Sequence, residues 1–108
     1  PTENNFSLFM ANIDAVSSRN GFVLMGLSFF EYKEDNPLST TVLEPWSVRL
    51  TVDGKRANLV NLLRDLESLP MYPVIESISY SDKSETEETT SFTINMRIYH
   101  VPINNFYD

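Results

Sequence analysis

Two segments of this chain alternate without a break between apolar and polar residues. In "WSVRLTVD", Trp46, Val48, Leu50 and Val52 fall on one side, and Ser47, Arg49, Thr51 and Asp53 on the other. In "SFTINMRIYHV", Phe92, Ile94, Met96 and Ile98 oppose Thr93, Asn95, Arg97 and Tyr99. A period of two is that of a β-strand with one face covered and the other in water. Antiparallel sheets tolerate this; parallel strands are covered on both faces and run apolar throughout. The pattern therefore calls for an antiparallel sheet with a covering layer on one side only.

Helices supply that layer. Phe6, Phe9, Met10, Ile13 and Val16 recur at helical spacing. Asn4, Asn5 or Ser7 is a suitable cap and Asn20-Gly21 a stop, so a helix is expected over about residues 5–19. Leu59, Leu62, Leu63, Leu66 and Leu69 form the stripe of a second helix. Asp53-Gly54 leads into it and "LPMYP" ends it, because Pro70 biases Leu69 away from helical geometry. "FVLMGLSFFEYK" is rich in β formers and predicts a strand from Val23 to Lys33. Val23, Met25, Leu27 and Phe29 are expected on its covered face, Phe30 and Tyr32 on the other. "VIESISYS" predicts a short third strand. "EDNPLSTTVLEP" and the acidic "DKSETEETT" read as loops.

The order is helix, strand, strand, helix, strand, strand. The economical solution is an α+β fold with two helices on one face of a four-stranded antiparallel sheet. This is a ferredoxin-like two-layer sandwich, circularly permuted to αββαββ. The second and fourth strands take the centre, and the first and third become edges. At 108 residues, with no repeat and no internal boundary, the chain reads as one domain, 1–108. It begins with Pro1 rather than Met, which reads as a domain cut from a longer protein.

Chemistry is sparse. The net charge of −7 sets long-range repulsion against nucleic acid and anionic membranes. With no cysteine, disulfides, thiolate metal sites and cysteine nucleophiles are excluded. No apolar run approaches the roughly 18–20 residues that span a bilayer. Lys55-Arg56 after Gly54 lacks the second glycine and the Lys-Ser/Thr ending of a phosphate loop. It reads as a strand-to-helix junction and at most a contact patch. His100, the one histidine, has no nucleophile elbow or metal-ligand spacing to work with. Asp82, Glu85, Glu87 and Glu88 miss the calcium-loop pattern and its glycine. Aromatic residues on an open sheet suggest base stacking, but the chain starts with a helix and is acidic, which favours protein contact instead. The expectation is no enzyme activity, no catalytic residues, no cofactor and no metal.

The span from Trp46 to Val101 resembles the membrane-distal domain of the PilO family of type IV pilus assembly proteins. The resemblance is carried by "VRLTVDGKRANLVNLLRDLESLPMYPVIESISYS" followed by "TINMRIYHV". A strand ends at a glycine, a leucine-bearing helix closes on Leu66 to Pro70, and a strand beginning at Val74 follows. Upstream, "LFMANIDAVSSRNGFVLMGLSF" is similar to that family's helix, glycine and first strand. Lys55-Arg56 departs from the aromatic or small polar residue often found there. The loop from Glu34 to Pro45 is also long for the family.

The resemblance implies a structural protein–protein interaction domain in the periplasm, or its equivalent outside the cytoplasmic membrane. An N-terminal transmembrane helix and a coiled coil would precede it. The implied partners are a second copy, in a homodimer, and a PilN-like pilus assembly protein. The M-type component of type II secretion machines is a close alternative, and a small-ligand sensor of ferredoxin-like fold another. An acylphosphatase-type enzyme needs a leading strand and a phosphate-cradling turn, which this chain does not have. The expected self-contact is the first strand, through Ser28, Phe30 and Tyr32, because its aromatic area faces away from the helices. The third strand is guarded by Glu76 and the acidic loop.

Overall fold

The computed structural model describes residues 2–31, 44–82 and 88–100. The elements follow the expected order: α1 (Thr2–Arg19), β1 (Val23–Glu31), β2 (Glu44–Gly54), α2 (Leu59–Glu67), β3 (Val74–Asp82) and β4 (Thr90–His100). One 3-10 turn, Arg56–Asn58, precedes α2. The sheet order is β1-β2-β4-β3, with every neighbouring pair antiparallel. The two alternating strands are thus central and the other two are edges, as the sequence predicts.

Central position follows from the pattern. Val48, Leu50 and Val52 of β2 and Phe92, Ile94, Met96 and Ile98 of β4 are all buried on the helix side. Phe9, Ile13 and Val16 of α1, Leu62 and Leu66 of α2, and Phe22 close over them. Each such side chain contributes about 1.5–3 kcal/mol by leaving water. Trp46 joins this layer through the ring of Phe6, an edge-on contact at 4.9 Å.

Helix α1 stops where expected. Phe22 N–H donates to Ser17 C=O at 2.8 Å and Gly21 N–H to Ser18 C=O at 3.0 Å. This paired closure requires a left-handed residue at Gly21, whose φ is 80°. The helix begins earlier than expected, at Thr2, so Ser7 lies inside it rather than capping it. Met10 does not belong to the buried stripe and is 41% exposed. Phe9, Ile13 and Val16 suffice to cover the sheet below α1, and Met10 sits about 100° round the helix from Phe9.

The edge strands depart from simple alternation. The β1–β2 register shifts between Leu24 and Gly26. This bulge carries the strand's covered face from Leu24 to Leu27 and Phe29, all packed on the core. Val23 and Met25, expected on that face, are instead 62% and 57% exposed. A second shift, between Ile75 and Ser77, does the same for β3, so that Ile75 and Ile78 share the helix side. The third strand is also not short: β3 and β1 each span nine residues.

The two helices are clamped at one end. Asn20 Nδ2 and Arg19 Nη2 both donate to Asp65 Oδ2, at 2.9 and 3.2 Å. The Asn20 hydrogen bond, then that from Arg19, holds the Asp65 carboxyl below its ordinary range. A carboxyl lowered in the folded state adds stability above its unfolded pKa and loses it as pH falls through the folded value. Asp65→Asn should therefore weaken the domain at pH 7, and its gap from wild type should shrink as pH falls below the ordinary carboxylate range toward the lowered folded value. Urea unfolding of both proteins at pH 7 and pH 3 measures this; an equal gap at both pH values would count against the clamp.

Candidate interaction surfaces

Among the described residues no group of acidic or histidine side chains is placed to hold a metal ion. The described residues present an outer sheet face, two edge strands and the flank of α2 as surfaces. Asp82 ends β3, Glu85 and Glu87 lie outside the described residues, and His100 closes β4 opposite Glu44.

The outer sheet face is polar and cross-linked. Arg49 Nε donates to Asn95 Oδ1 at 3.2 Å, and Asn95 Nδ2 donates to Ser77 Oγ at 3.0 Å, so one row of side chains spans three strands. Arg97 donates to Glu76 Oε2 and to the Tyr99 hydroxyl. The Glu76 contact, then that of Tyr99, raises the Arg97 pKa above its already high ordinary value, so the cation is permanent. Paired in this way, Glu76 is part of a structural bridge as well as an edge charge.

On this face the structure places two of the three residues expected for self-contact. Ser28 is exposed and lies opposite Arg49, and Phe30 lies opposite Ser47 and is 49% exposed. The Arg49 guanidinium stands over the Phe30 ring at 5.7 Å. Tyr32 lies outside the described residues. The outward Val23 and Met25 extend the apolar area of this edge.

The basic pair separates into two roles. Lys55 is extended and reaches Glu88 at 3.9 Å, with both side chains well exposed. Such a pair adds little to stability. Arg56 instead turns inward along the fold: its guanidinium lies 4.9 Å over the Tyr80 ring, and Nε donates to Thr90 Oγ1 at 3.3 Å. It ties the start of the helical layer to β3 and β4.

Three features had no sequence expectation attached. First, Tyr80 is 63% exposed and Ile78 38%, although both lie on the helix side of β3. Second, Met71 and Tyr72 adopt left-handed backbone, φ 77° and 51°. That conformation costs non-glycine residues of order 1–3 kcal/mol each. It is held by the Tyr99 N–H, which donates to Met71 C=O at 2.8 Å. Third, a groove of about 450 Å³ runs along α2, lined by Val60, Leu63, Arg64, Glu67 and Ser68. A local signal existed only in part. The prolines flanking Met71-Tyr72 mark a turn, but nothing nearby marks the shift at Glu76 that turns Ile78 and Tyr80 toward the helices.

No protein-family model and no curated protein matches this chain by sequence. Solved structures do match by fold. The crystal structure of the type 4 fimbrial biogenesis protein PilO from Pseudomonas aeruginosa superimposes with a TM-score of 0.75, at 12% identity, over 93% of this chain and 71% of that one. The core region of PilO from the same organism's type IV pilus system gives 0.59 at 12% identity, over 75% of this chain and 79% of that one. A protein from Akkermansia muciniphila, solved without its transmembrane region, gives 0.63 at 9% identity over 93% of this chain and 54% of that one. With two helices on a four-stranded antiparallel sheet and these superpositions, the chain has the fold of the PilO domain.

Proposed function

We propose that this domain is a structural interaction module of a type IV pilus assembly complex. It acts outside the cytoplasmic membrane, tethered by an N-terminal helix that precedes Pro1 in the intact protein. It joins a second copy or a PilN-like partner, and it catalyses nothing. The observation that carries this reading is the superposition on PilO over 93% of the chain. It is supported by the PilO-like phrase around the second helix and by a hydrogen-bonded outer sheet face between two edge strands. Among the described residues no helix is long and apolar enough to cross a membrane. The test is to express the full-length gene product together with a PilN-like protein of the same organism and to ask whether the two co-purify from membranes. Recovery of each alone, or no membrane helix ahead of Pro1, would remove the pilus reading.

Self-association is assigned to β1. Its bulge disrupts the first half of the edge, while the run from Gly26 to Glu31 keeps regular pairing with β2. Ser28 and Phe30 lie in that run, and Phe30 offers exposed aromatic area suited to an interface. A strand joined to its own copy forms a symmetric pair that closes on itself. Ser28→Pro disturbs the edge backbone, and Phe30→Ser removes the aromatic area. Both should lower the association constant at least tenfold by sedimentation at high protein concentration, with circular dichroism unchanged. If both folded variants associate like the wild type, β1 is not the contact.

A further inference from the structure

We propose that two copies of this chain join along β1 in one register, with the two-fold axis at Ser28 and the Phe30 ring of each copy seated on Gly26 of the other. The proposal rests on the assignment of self-association to β1 and not on the pilus reading. It adds the alignment of the two strands and the residue that each copy contributes to the other.

Gly26 is exposed, and nothing in its own chain requires a glycine there. Its backbone is outside the left-handed region that Gly21 occupies. Apart from its chain neighbours, a Cβ on Gly26 would meet nothing nearer than Thr51 Cβ at 4.0 Å. The bulge beside it does not need a glycine either, because a bulge calls for one only at a left-handed position. A glycine inside a strand weakens the strand, and it marks places where another backbone or a ligand comes close. The gap opens on the outer face, which Gly26 shares with Ser28 and Phe30.

The strand carries its own filler. Phe30 stands on that same face, four residues along and 49% exposed. A two-fold axis perpendicular to the sheet lays β1 antiparallel to its copy, and only an axis centred on a residue keeps the covered and outer faces matched. Regular pairing with β2 runs from Gly26 to Glu31. Two centres keep five consecutive positions of that run paired: Phe29, over 27–31, and Ser28, over 26–30. A centre at Phe29 sets Glu31 against Leu27, a carboxylate against a side chain packed on the core. A centre at Ser28 sets Leu27 against Phe29, both half-buried on the helix side, and Phe30 against Gly26 on the outer side. An aromatic ring across from an edge glycine covers the bare backbone and stabilises the pairing. The two Glu31 carboxylates then lie about 20 Å apart along the strands, beyond the screening length of roughly 8–10 Å. Five paired positions span only about 17 Å, so the contact is of the small, transient class and is best read by a covalent trap.

The chain has no cysteine, so a single introduced thiol reports its own neighbour. Opposed residues of an antiparallel pair have Cα atoms about 4.5–5.5 Å apart, inside the disulfide range of about 4.4–6.8 Å. Ser28→Cys and Phe29→Cys, each checked by circular dichroism, are oxidised with copper phenanthroline at high protein concentration. Ser28→Cys should form a covalent dimer and Phe29→Cys should not. Gly26→Val should melt no lower than wild type, because valine favours strands and the position is open, yet its association constant by sedimentation should fall at least tenfold. A purely structural role for Gly26 would not separate those two readouts. Crosslinking at Phe29 in place of Ser28 overturns the register and leaves the β1 assignment standing. Crosslinking at Ser28 with a Gly26→Val variant that associates like wild type overturns the seat on Gly26. Association without a crosslink at either position overturns the register and the β1 assignment together. A wild-type chain that stays monomeric at every concentration does the same and leaves β1 to a different partner.

Discussion

Leu66→Asp is expected to leave this domain unfolded at room temperature, whereas Leu63→Asp is expected to leave it folded with a lowered melting point. Both leucines belong to the α2 stripe, but Leu66 has no exposed surface and Leu63 is only partly buried. Truncating a fully buried leucine to alanine costs about 2–5 kcal/mol. A carboxylate in its place adds an uncompensated buried charge, worth about 3–5 kcal/mol or more when no partner is in reach. Together these come to about 5–10 kcal/mol, comparable with the roughly 5–15 kcal/mol that holds a domain of this size. At Leu63 the new carboxylate can turn into the groove beside Val60 and stay hydrated, so only part of the packing is lost. Thermal melts followed by circular dichroism separate the cases. A cooperative Leu66→Asp melt near the wild-type temperature would mean that α2 does not seal the core as described.

The difference between those two leucines shows what periodicity does and does not carry. A stripe such as Leu59, Leu62, Leu63, Leu66 and Leu69 fixes the face of a helix, and strict alternation fixes the covered face of β2 and β4. Both are local repeats that hold as long as the backbone is regular. How deep each residue lies depends on neighbours distant in sequence, which is why Met10 joins the stripe on paper and faces water in the fold. The edge strands fail differently. One extra residue at Met25 and another at Glu76 exchange the two faces, so counting by twos across them misplaces Val23 and Met25. Gly26, alone inside a strand pattern, was a usable warning of the first shift. Phe30 was placed correctly because the count from Leu27 onward meets no irregularity.

Long-range polar contacts left no periodic trace. Asn20 meets Asp65 across 45 positions, and Arg56 meets Thr90 across 34. For Lys55 and Arg56 the sequence indicated a junction but not that the two cations diverge, one toward Glu88 and the other over Tyr80. The exposed Ile78 and Tyr80 of β3 were hidden for the same reason as the misplaced β1 residues: the bulge that turns them toward the helices has no glycine to announce it.

Gly54→Ala is expected to destabilise the domain by about 1–3 kcal/mol, the range for forcing a methyl into a filled core. In a domain of this size each kcal/mol lowers the melting point by about 4–8 °C. A Cβ at Gly54 would lie 2.8 Å from Cγ of Phe22 and nearer still to two other carbons of that ring. The ring has little room to retreat. Phe22 is 3% exposed and packs edge-on against Phe92 at 6.1 Å. Its own N–H is committed to Ser17 C=O in the closure of α1, directly after the left-handed Gly21. Relief therefore requires either opening the end of α1 or moving the last pair of the β2–β4 ladder, Gly54 with Thr90. A double-mutant cycle identifies the obstruction. Phe22→Leu alone should cost stability by leaving a void, but Gly54→Ala combined with Phe22→Leu should cost less than the two added, because the smaller side chain makes room for the methyl. Strict additivity in urea unfolding, or a Gly54→Ala variant as stable as wild type, would show that the ring is not the constraint. The same junction positions Arg56 two residues on, and Arg56 holds both Thr90 and the Tyr80 ring. In the folded Gly54→Ala variant the amide signals of Tyr80 and Thr90 should therefore shift, while those of Ser28 and Phe30 at the far edge stay in place.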